Sequence, residues 1–212
     1  MFGRHFWVLV LLTSSLIVLV GCGCSGERVV FQDVLVSDCA PPCWRGVIPG
    51  TSSRQDVLNL LKEPPDTEPG LQRIDWGWRC SKHGSMTQVE IYLDSNDVVE
   101  SITLVDPDTH YTFQSVVDEF GSPPIVLMTP CAPDTDKGFL YLVYPGRGLA
   151  LGSGFVPTLG RPWQQPSSQT HVYQWVYFNP IPDDLFSSMG KPIYGCGMSY
   201  ANLTSPWQGF GP

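Results

Sequence analysis

Apolar residues at helical spacing mark two short segments of the chain. Each segment follows a residue able to cap a helix, one of Thr51, Ser52 and Ser53 in the first case and Thr112 in the second. The apolar positions are Val57, Leu58, Leu60 and Leu61, and then Phe113, Val116, Val117 and Phe120. Prolines end the first segment, and Gly121 followed by two prolines ends the second. The pattern predicts two short helices.

Beyond each predicted helix, apolar and polar residues alternate with the period of a β-strand. The alternation is clearest where Val89, Ile91 and Leu93 are interleaved with Glu90 and Tyr92. The strand candidates are residues 71–79, 86–94 and 98–105 after the first helix, and 125–128, 139–144, 149–155 and 171–178 after the second. A helix followed by an antiparallel meander predicts an α+β fold.

The two helical segments also match each other in sequence. At an offset of 59 residues, Gln55, Val57 and Pro64-Pro65 coincide with Gln114, Val116 and Pro123-Pro124. We therefore predict an internal repeat. Two tandem helix-plus-meander units, residues 39–105 and 106–179, would form a shared or adjoining sheet. Residues 180–212, rich in Gly and Pro, are predicted to be an irregular C-terminal tail.

The N-terminus has the features of an export signal. Arg4 precedes an apolar run over residues 6–20, which is shorter than the roughly 20 residues that a membrane span needs. Leu19-Val20-Gly21-Cys22 resembles the bacterial lipobox. That resemblance implies a signal peptide over residues 1–21, lipidation of Cys22 and a tether over residues 22–38. The protein would then be anchored in a cell membrane on its extracytoplasmic face. An uncleaved anchor or an ordinary secretory signal is the alternative.

Charge narrows the range of partners. The chain carries 12 Lys and Arg against 20 Asp and Glu, a net charge of −8. Loss of Arg4 with the signal would leave a balance of −9. Without a basic run to neutralise phosphates, the sequence argues against nucleic acid as a partner and leaves the lipid as the only membrane attachment.

Cysteine use is consistent with export. Cysteines of an oxidising compartment mainly form disulfides, and the candidates are Cys39, Cys43, Cys80, Cys131 and Cys196, with Cys24 inside the tether. The sequence does not select among the possible pairings. Two metal sites are weaker alternatives: zinc at Cys39, Cys43, Cys80 and His83, and calcium at residues 133–136. We expect no metal and no cofactor.

Aromatic residues offer the best indication of a binding surface. Trp76 and Trp78 lie two residues apart, on the same side of a strand. With Tyr92 on the neighbouring strand they could line an exposed patch that binds protein or stacks sugars. The alternative is that both tryptophans pack beneath the first helix.

Catalytic motifs are missing from the sequence. It contains no G-x-S-x-G, H-E-x-x-H or phosphate-binding loop. His110 precedes a helix cap and His171 opens a strand, so both are expected at the surface. We therefore expect a protein that is not an enzyme.

One segment carries a family resemblance. Gly46-Val47-Ile48-Pro49-Gly50-Thr51, with Val57-Leu58 and a proline stop, resembles the opening of the BamE/SmpA/OmlA lipoprotein domain. The tandem form is similar to the β-lactamase inhibitory protein family, in which two such units join their sheets. The resemblance covers residues 44–155, although Lys62-Glu63 replaces the usual glycine and Ser52 the usual methionine. It implies protein binding or envelope assembly through a sheet face. A solute- or glycan-binding lipoprotein is the alternative, with an envelope hydrolase less favoured.

Overall fold

The protein folds around an eight-stranded antiparallel sheet. The structure, a computed structural model, describes residues 39–61, 72–79, 86–106, 109–130, 138–155, 166–189 and 203–211. The strands are β1 Arg73–Arg79, β2 Met86–Leu93, β3 Val99–Val105, β4 Ile125–Pro130, β5 Gly138–Tyr144, β6 Leu149–Phe155, β7 Gln174–Phe178 and β8 Leu203–Pro206. Their order across the sheet is β1-β2-β3-β7-β6-β5-β4-β8. The described helices are α1 Arg54–Leu60, α2 Phe113–Phe120 and α3 Asp183–Met189. The predicted α+β class is confirmed.

Several predictions fall outside the described residues. These are the signal peptide, Cys22, the tether, the suggested calcium segment 133–136, and the residues Cys80, His83, Cys131 and Cys196. None of the helices within the described ranges is long and apolar enough to cross a membrane.

Helix α1 begins at a reciprocal capping box. The Ser53 hydroxyl accepts from the Asp56 amide at 3.3 Å, and the Asp56 carboxylate accepts from the Ser53 amide at 2.7 Å. The Ser53 amide and hydroxyl favour the charged carboxylate and lower the pKa of Asp56. Ser53 is therefore the cap among the three residues that the sequence offered. Val57 of this helix is fully buried.

Helix α2 has the predicted cap at each end. The Thr112 hydroxyl accepts from the Ser115 amide at 3.3 Å, and Gly121 follows the last turn with φ 81°. A positive φ favours glycine because it has no Cβ to clash with the backbone. Phe113 and Val116 lie in the core. The cap, the apolar stripe and the stop predicted for this helix are all confirmed.

The predicted strands are confirmed with small shifts, the largest in β7. This strand begins at Gln174 rather than at residue 171. The preceding residue, Tyr173, accepts from the amide of Asp106 and donates its own amide to Gly152, whereas His171 forms an isolated bridge with Thr112. The start of β7 is therefore set by partners distant in sequence.

The prediction of an irregular C-terminal tail is wrong for two segments. Helix α3 begins at Asp183, within the predicted tail, and the two acids of its first turn suit the positive end of the helix dipole. Phe186 of α3 is buried against the sheet. Strand β8 pairs with β4, with Leu203 opposite Met128. Both segments are stabilised by tertiary contacts with strands far away in sequence.

The first face of the sheet, defined as the side that α1 and α2 cover, carries the main core. Val57 and Leu61 from the α1 region, and Phe113 and Val116 from α2, pack with alternate strand residues in one buried cluster. The strand members of the cluster include Ile74, Val89, Ile91, Ile102, Leu104, Trp175, Tyr177, Leu142 and Leu151.

Residues 39–50 begin with a disulfide-closed loop and pack against the core through Trp44 and Val47. Cys39 and Cys43 form a disulfide, and Trp44, directly after it, is only 1% exposed. Pro42 approaches Gly148, which follows the turn Pro145–Arg147 and has φ 60°. A Cβ at Gly148 would collide with the carbonyl oxygen of Phe178, so glycine is required here by space as well as by φ.

Candidate binding surface

The second face of the sheet, opposite α1 and α2, is divided into two halves of different chemistry. The polar half comprises second-face residues of β1, β2 and β3: Arg73, Asp75, Gln88, Glu90, Tyr92, Ser101, Thr103 and Val105. The apolar half comprises those of β4–β7: Ile125, Leu127, Phe139, Tyr141, Val143, Ala150, Val176 and Phe178. The strand register assigns these residues, because cross-strand partners lie on the same face.

The apolar half is covered by the chain itself. Phe186 of α3 is 3% exposed and its ring centroid lies 5.8 Å from that of Phe178. Ile181, just before α3, packs partly buried against the same cluster. This half therefore belongs to the hydrophobic core and leaves little room for a partner.

Glu90 accepts two hydrogen bonds within the polar half. The amide nitrogen of Gln88 donates to one carboxylate oxygen at 2.8 Å, and the hydroxyl of Tyr92 donates to the other at 3.0 Å. All three side chains are on β2 and are half-buried. The network holds the carboxylate in one orientation at the surface.

Arg73 and Asp75 form the adjoining part of the polar half on β1. The guanidinium donates to one oxygen of Asp75 from Nε at 2.9 Å and from Nη2 at 2.7 Å. The two side chains are 46% and 39% exposed, so the ion pair is open to solvent and contributes little to stability. Arg73 also lies over the ring of Tyr92, 6.0 Å from its centroid. The guanidinium thus links β1 to the Glu90 network.

Tyr92 is held in its neutral form by its surroundings. Partial burial, followed by the nearby charge of Glu90 and the hydrogen bond to it, raises the pKa of Tyr92 to about 12. At neutral pH the phenol is therefore a hydrogen-bond donor with a half-buried ring. Tyrosine and arginine are over-represented among residues that dominate protein interfaces.

Tyr141 and Gln174 form the boundary between the two halves. The Tyr141 hydroxyl donates to the side-chain oxygen of Gln174 at 2.7 Å, and both residues are buried. To reach Gln174 the ring crosses Gly152, where a Cβ would overlap its carbon atoms. Burial raises the pKa of Tyr141, and the charge of Glu90 contributes in the same direction. The boundary is therefore a fixed, neutral hydrogen bond.

Within the described residues, two buried polar atoms of the polar half have no hydrogen-bond partner. They are the hydroxyl oxygen of Ser101, a residue with no exposed surface, and the second carboxylate oxygen of Asp75. Ser101 lies opposite Tyr92 on one side and Phe178 on the other. Buried polar atoms are normally satisfied, and exceptions call for an explanation.

The predicted grouping of Trp76, Trp78 and Tyr92 is not supported by the strand register. Trp76 lies opposite Val89, a core residue of the first face, whereas Tyr92 lies opposite Arg73. The tryptophan positions therefore alternate with Tyr92 rather than share its face. The tryptophan side chains themselves are outside the described part of the structure.

The residues that sequence reasoning missed are Arg73, Asp75, Gln88 and Glu90. They occupy the polar positions of two predicted strands, and that alternation was the only signal available. Their convergence depends on which residue of β1 faces which residue of β2.

The histidines and the first two cysteines do not form the constellations that the sequence suggested. His110 and His171 are exposed, as predicted. The sulfurs of Cys39 and Cys43 are bonded to each other, so the suggested zinc site loses two of its thiolates.

Comparison with known proteins gives no further guidance. No family model matches the chain, and neither the curated protein sequences nor the solved structures contain a significant match.

Proposed function

We propose that this chain is a lipid-anchored, extracytoplasmic binding module that engages another envelope protein through the polar half. The observation that carries the proposal is the contrast on the second face. One half is closed by Phe186, whereas the other presents a hydrogen-bonded Arg, Asp, Glu and Tyr cluster with 39% or more of the Arg73 and Asp75 side chains exposed. Tyrosine and arginine, two members of this ordered cluster, are enriched at protein interfaces.

The order of elements supports a tandem construction. Helix α1 precedes β1–β3 and helix α2 precedes β4–β7, and the two sets of strands meet at the β3–β7 pair. Two meanders joined in this way produce a broad sheet with helices on one side. The other side is then available for a partner along β1–β3.

The disulfide supports the extracytoplasmic location. Cys39 and Cys43 are joined in a short loop directly before buried Trp44. Structural disulfides form and persist in oxidising compartments. Together with the lipobox-like residues before Cys22, this favours an exported and anchored protein.

A surface spread over three strands favours a protein partner over a small solute. Neighbouring strands lie about 4.8 Å apart, so β1–β3 offer a shallow patch about 10 Å across. Small-molecule sites are usually concave and enclose most of their ligand. Binding rather than catalysis is the activity we propose.

Site-specific photocrosslinking in the native membrane tests the binding surface. A photoreactive amino acid replaces Val105, a half-buried residue at the edge of the polar half. Exposed Asp118 on α2 serves as the control position. We expect a discrete protein adduct from position 105 and none from position 118. Equal labelling from both positions, or crosslinking to glycan alone, would contradict a protein-binding role for this face.

Intact mass tests the anchor. Cleavage before Cys22 with added acyl chains is the expected result for protein extracted from membranes. An uncleaved or unacylated chain would contradict lipid anchoring while leaving the crosslinking result to decide the binding role.

A further inference from the structure

Asp75 and Glu90 are direct cross-strand partners in the polar half of the second face. The Cβ atoms of such partners lie about 5 Å apart, and like charges in this arrangement destabilise a sheet. The sequence of a stable sheet would normally place opposite charges there. The pair therefore breaks the preference for opposite charges across strands at a partly exposed position, as binding sites commonly do.

The neighbouring cation compensates this pair only in part. The Arg73 guanidinium donates twice to one oxygen of Asp75. The hydrogen bonds to Glu90 come from the neutral donors Gln88 and Tyr92. Among the described side chains of the cluster, two carboxylates thus share one guanidinium, which leaves an excess negative charge.

Two independent observations show unused hydrogen-bonding capacity at the same place. The second oxygen of Asp75 is inaccessible to solvent and has no donor, and the hydroxyl of fully buried Ser101 has no partner. Ser101 stands opposite Tyr92, one position along the face from Glu90. A buried carboxylate oxygen without a donor leaves the charge of Asp75 incompletely compensated within the sheet.

We infer that the protein partner presents an arginine or lysine side chain to the Asp75–Glu90 pair. This inference rests on the proposed protein-binding function and names the chemistry of the same surface. The cation would pair with the two carboxylates from the solvent side, with the ring of Tyr92 alongside. A net charge of −8 on the chain would also attract a basic partner surface. Within the described residues no group of three or more His, Cys, Asp or Glu could hold a metal ion, so a side-chain cation fits better than a metal.

Two small probes test the charge requirement on the intact protein. N-acetylarginine amide and N-acetylcitrulline amide have nearly the same shape, but only the first is charged. In titrations followed by NMR, the arginine probe is expected to shift the resonances of residues 75, 90 and 92, and the citrulline probe is not. Glu90→Gln should weaken the response to the arginine probe at least fivefold, whereas Asp118→Asn on α2 should leave it unchanged. Equal responses to both probes, or an unchanged response in Glu90→Gln, overturn the inference.

Crosslinking at position 105 separates this inference from the function on which it rests. If the adduct forms in the parent chain and falls at least fivefold in Glu90→Gln, the cationic contact is supported. If the adduct is as strong in Glu90→Gln as in the parent, the inference is wrong and the binding function survives. If the parent chain forms no adduct at position 105, the proposed function itself fails.

Discussion

The two halves of the second face show how one sheet surface can serve stability and recognition separately. In the apolar half, Phe186 of α3 packs on Phe178, and both side chains are at most 3% exposed. In the polar half, Arg73 and Asp75 remain open to solvent. The first arrangement removes apolar area from water, and the second retains charges that oppose each other. The charged residues Arg73, Asp75 and Glu90 of the polar half should therefore matter little for folding.

The largest loss of stability is expected from a substitution in the apolar half. Phe186→Ala removes a buried ring and should lower the free energy of unfolding by about 3–5 kcal/mol. The control is Leu185→Ala in the same helix, which changes a residue that is 48% exposed and should shift stability by no more than about 0.5 kcal/mol. Urea denaturation measures the free energy of unfolding of both variants. Equal, small losses would show that α3 does not close this half.

A smaller loss is expected at the boundary. Gly152→Ala places a Cβ within the ring of Tyr141 and should cost about 1–3 kcal/mol, because the ring must leave Gln174. Gly146→Ala is the matched control, since nothing lies within 4 Å of the added Cβ. Thermal or urea unfolding measures both. If the two variants unfold alike, the close packing of Tyr141 over Gly152 is refuted.

Alkaline pH tests the environment of Tyr92 in the polar half. Its folded pKa of about 12 lies above the ordinary value of 10, so the folded state holds this proton more tightly than the unfolded state. Its contribution to stability is full below pH 10 and is lost as the pH rises towards 12. Other tyrosines titrate in the same range, so the measurement is the difference between parent and Tyr92→Phe. The parent should lose more stability between pH 10 and 12, and parallel curves would argue against a neutral, half-buried Tyr92.

The smallest expected effect is a gain in folding stability rather than a loss. Asp75→Asn removes one of two opposed carboxylates but also the ion pair with Arg73, whereas Glu90→Gln removes the repulsion and keeps that ion pair. Glu90→Gln should therefore stabilise the fold by about 0.2–1 kcal/mol, and more than Asp75→Asn does. The gain should shrink at high salt. A loss of stability in Glu90→Gln would mean that its two hydrogen bonds outweigh the repulsion.

Local signals explain which elements the sequence predicted well. A cap, an apolar stripe and a stop lie within about ten residues at both α1 and α2, so no distant partner is needed to recognise them. Strands such as β2 were equally visible, because the alternation of Val89, Glu90 and Ile91 reports one buried face.

Distant pairing explains what the sequence did not predict. Strand β8 has only four residues and is defined by its hydrogen bonds to β4. The seven-residue helix α3 is held by Phe186 in a cluster formed by strands from elsewhere in the chain. Neither segment carries enough periodicity to compete with the turn residues around it.

The candidate surface was only partly predictable for the same reason. Tyr92 was selected as an aromatic residue on a strand, but its neighbours Arg73 and Asp75 were not. They reach Tyr92 and Glu90 only through the β1–β2 register, and a shift of one residue would have placed them on the other face. Residue type suggested the chemistry, whereas register determined the site.

Paired measurement of folding and binding tests the central claim most directly. Glu90→Ala and Phe186→Ala would each be assayed for urea midpoint and for crosslinking from position 105 per folded molecule. The account predicts that Glu90→Ala keeps the parent midpoint and loses the adduct, whereas Phe186→Ala loses stability and its folded fraction keeps the adduct. If stability and crosslinking fall together in both variants, the two halves do not have separate roles.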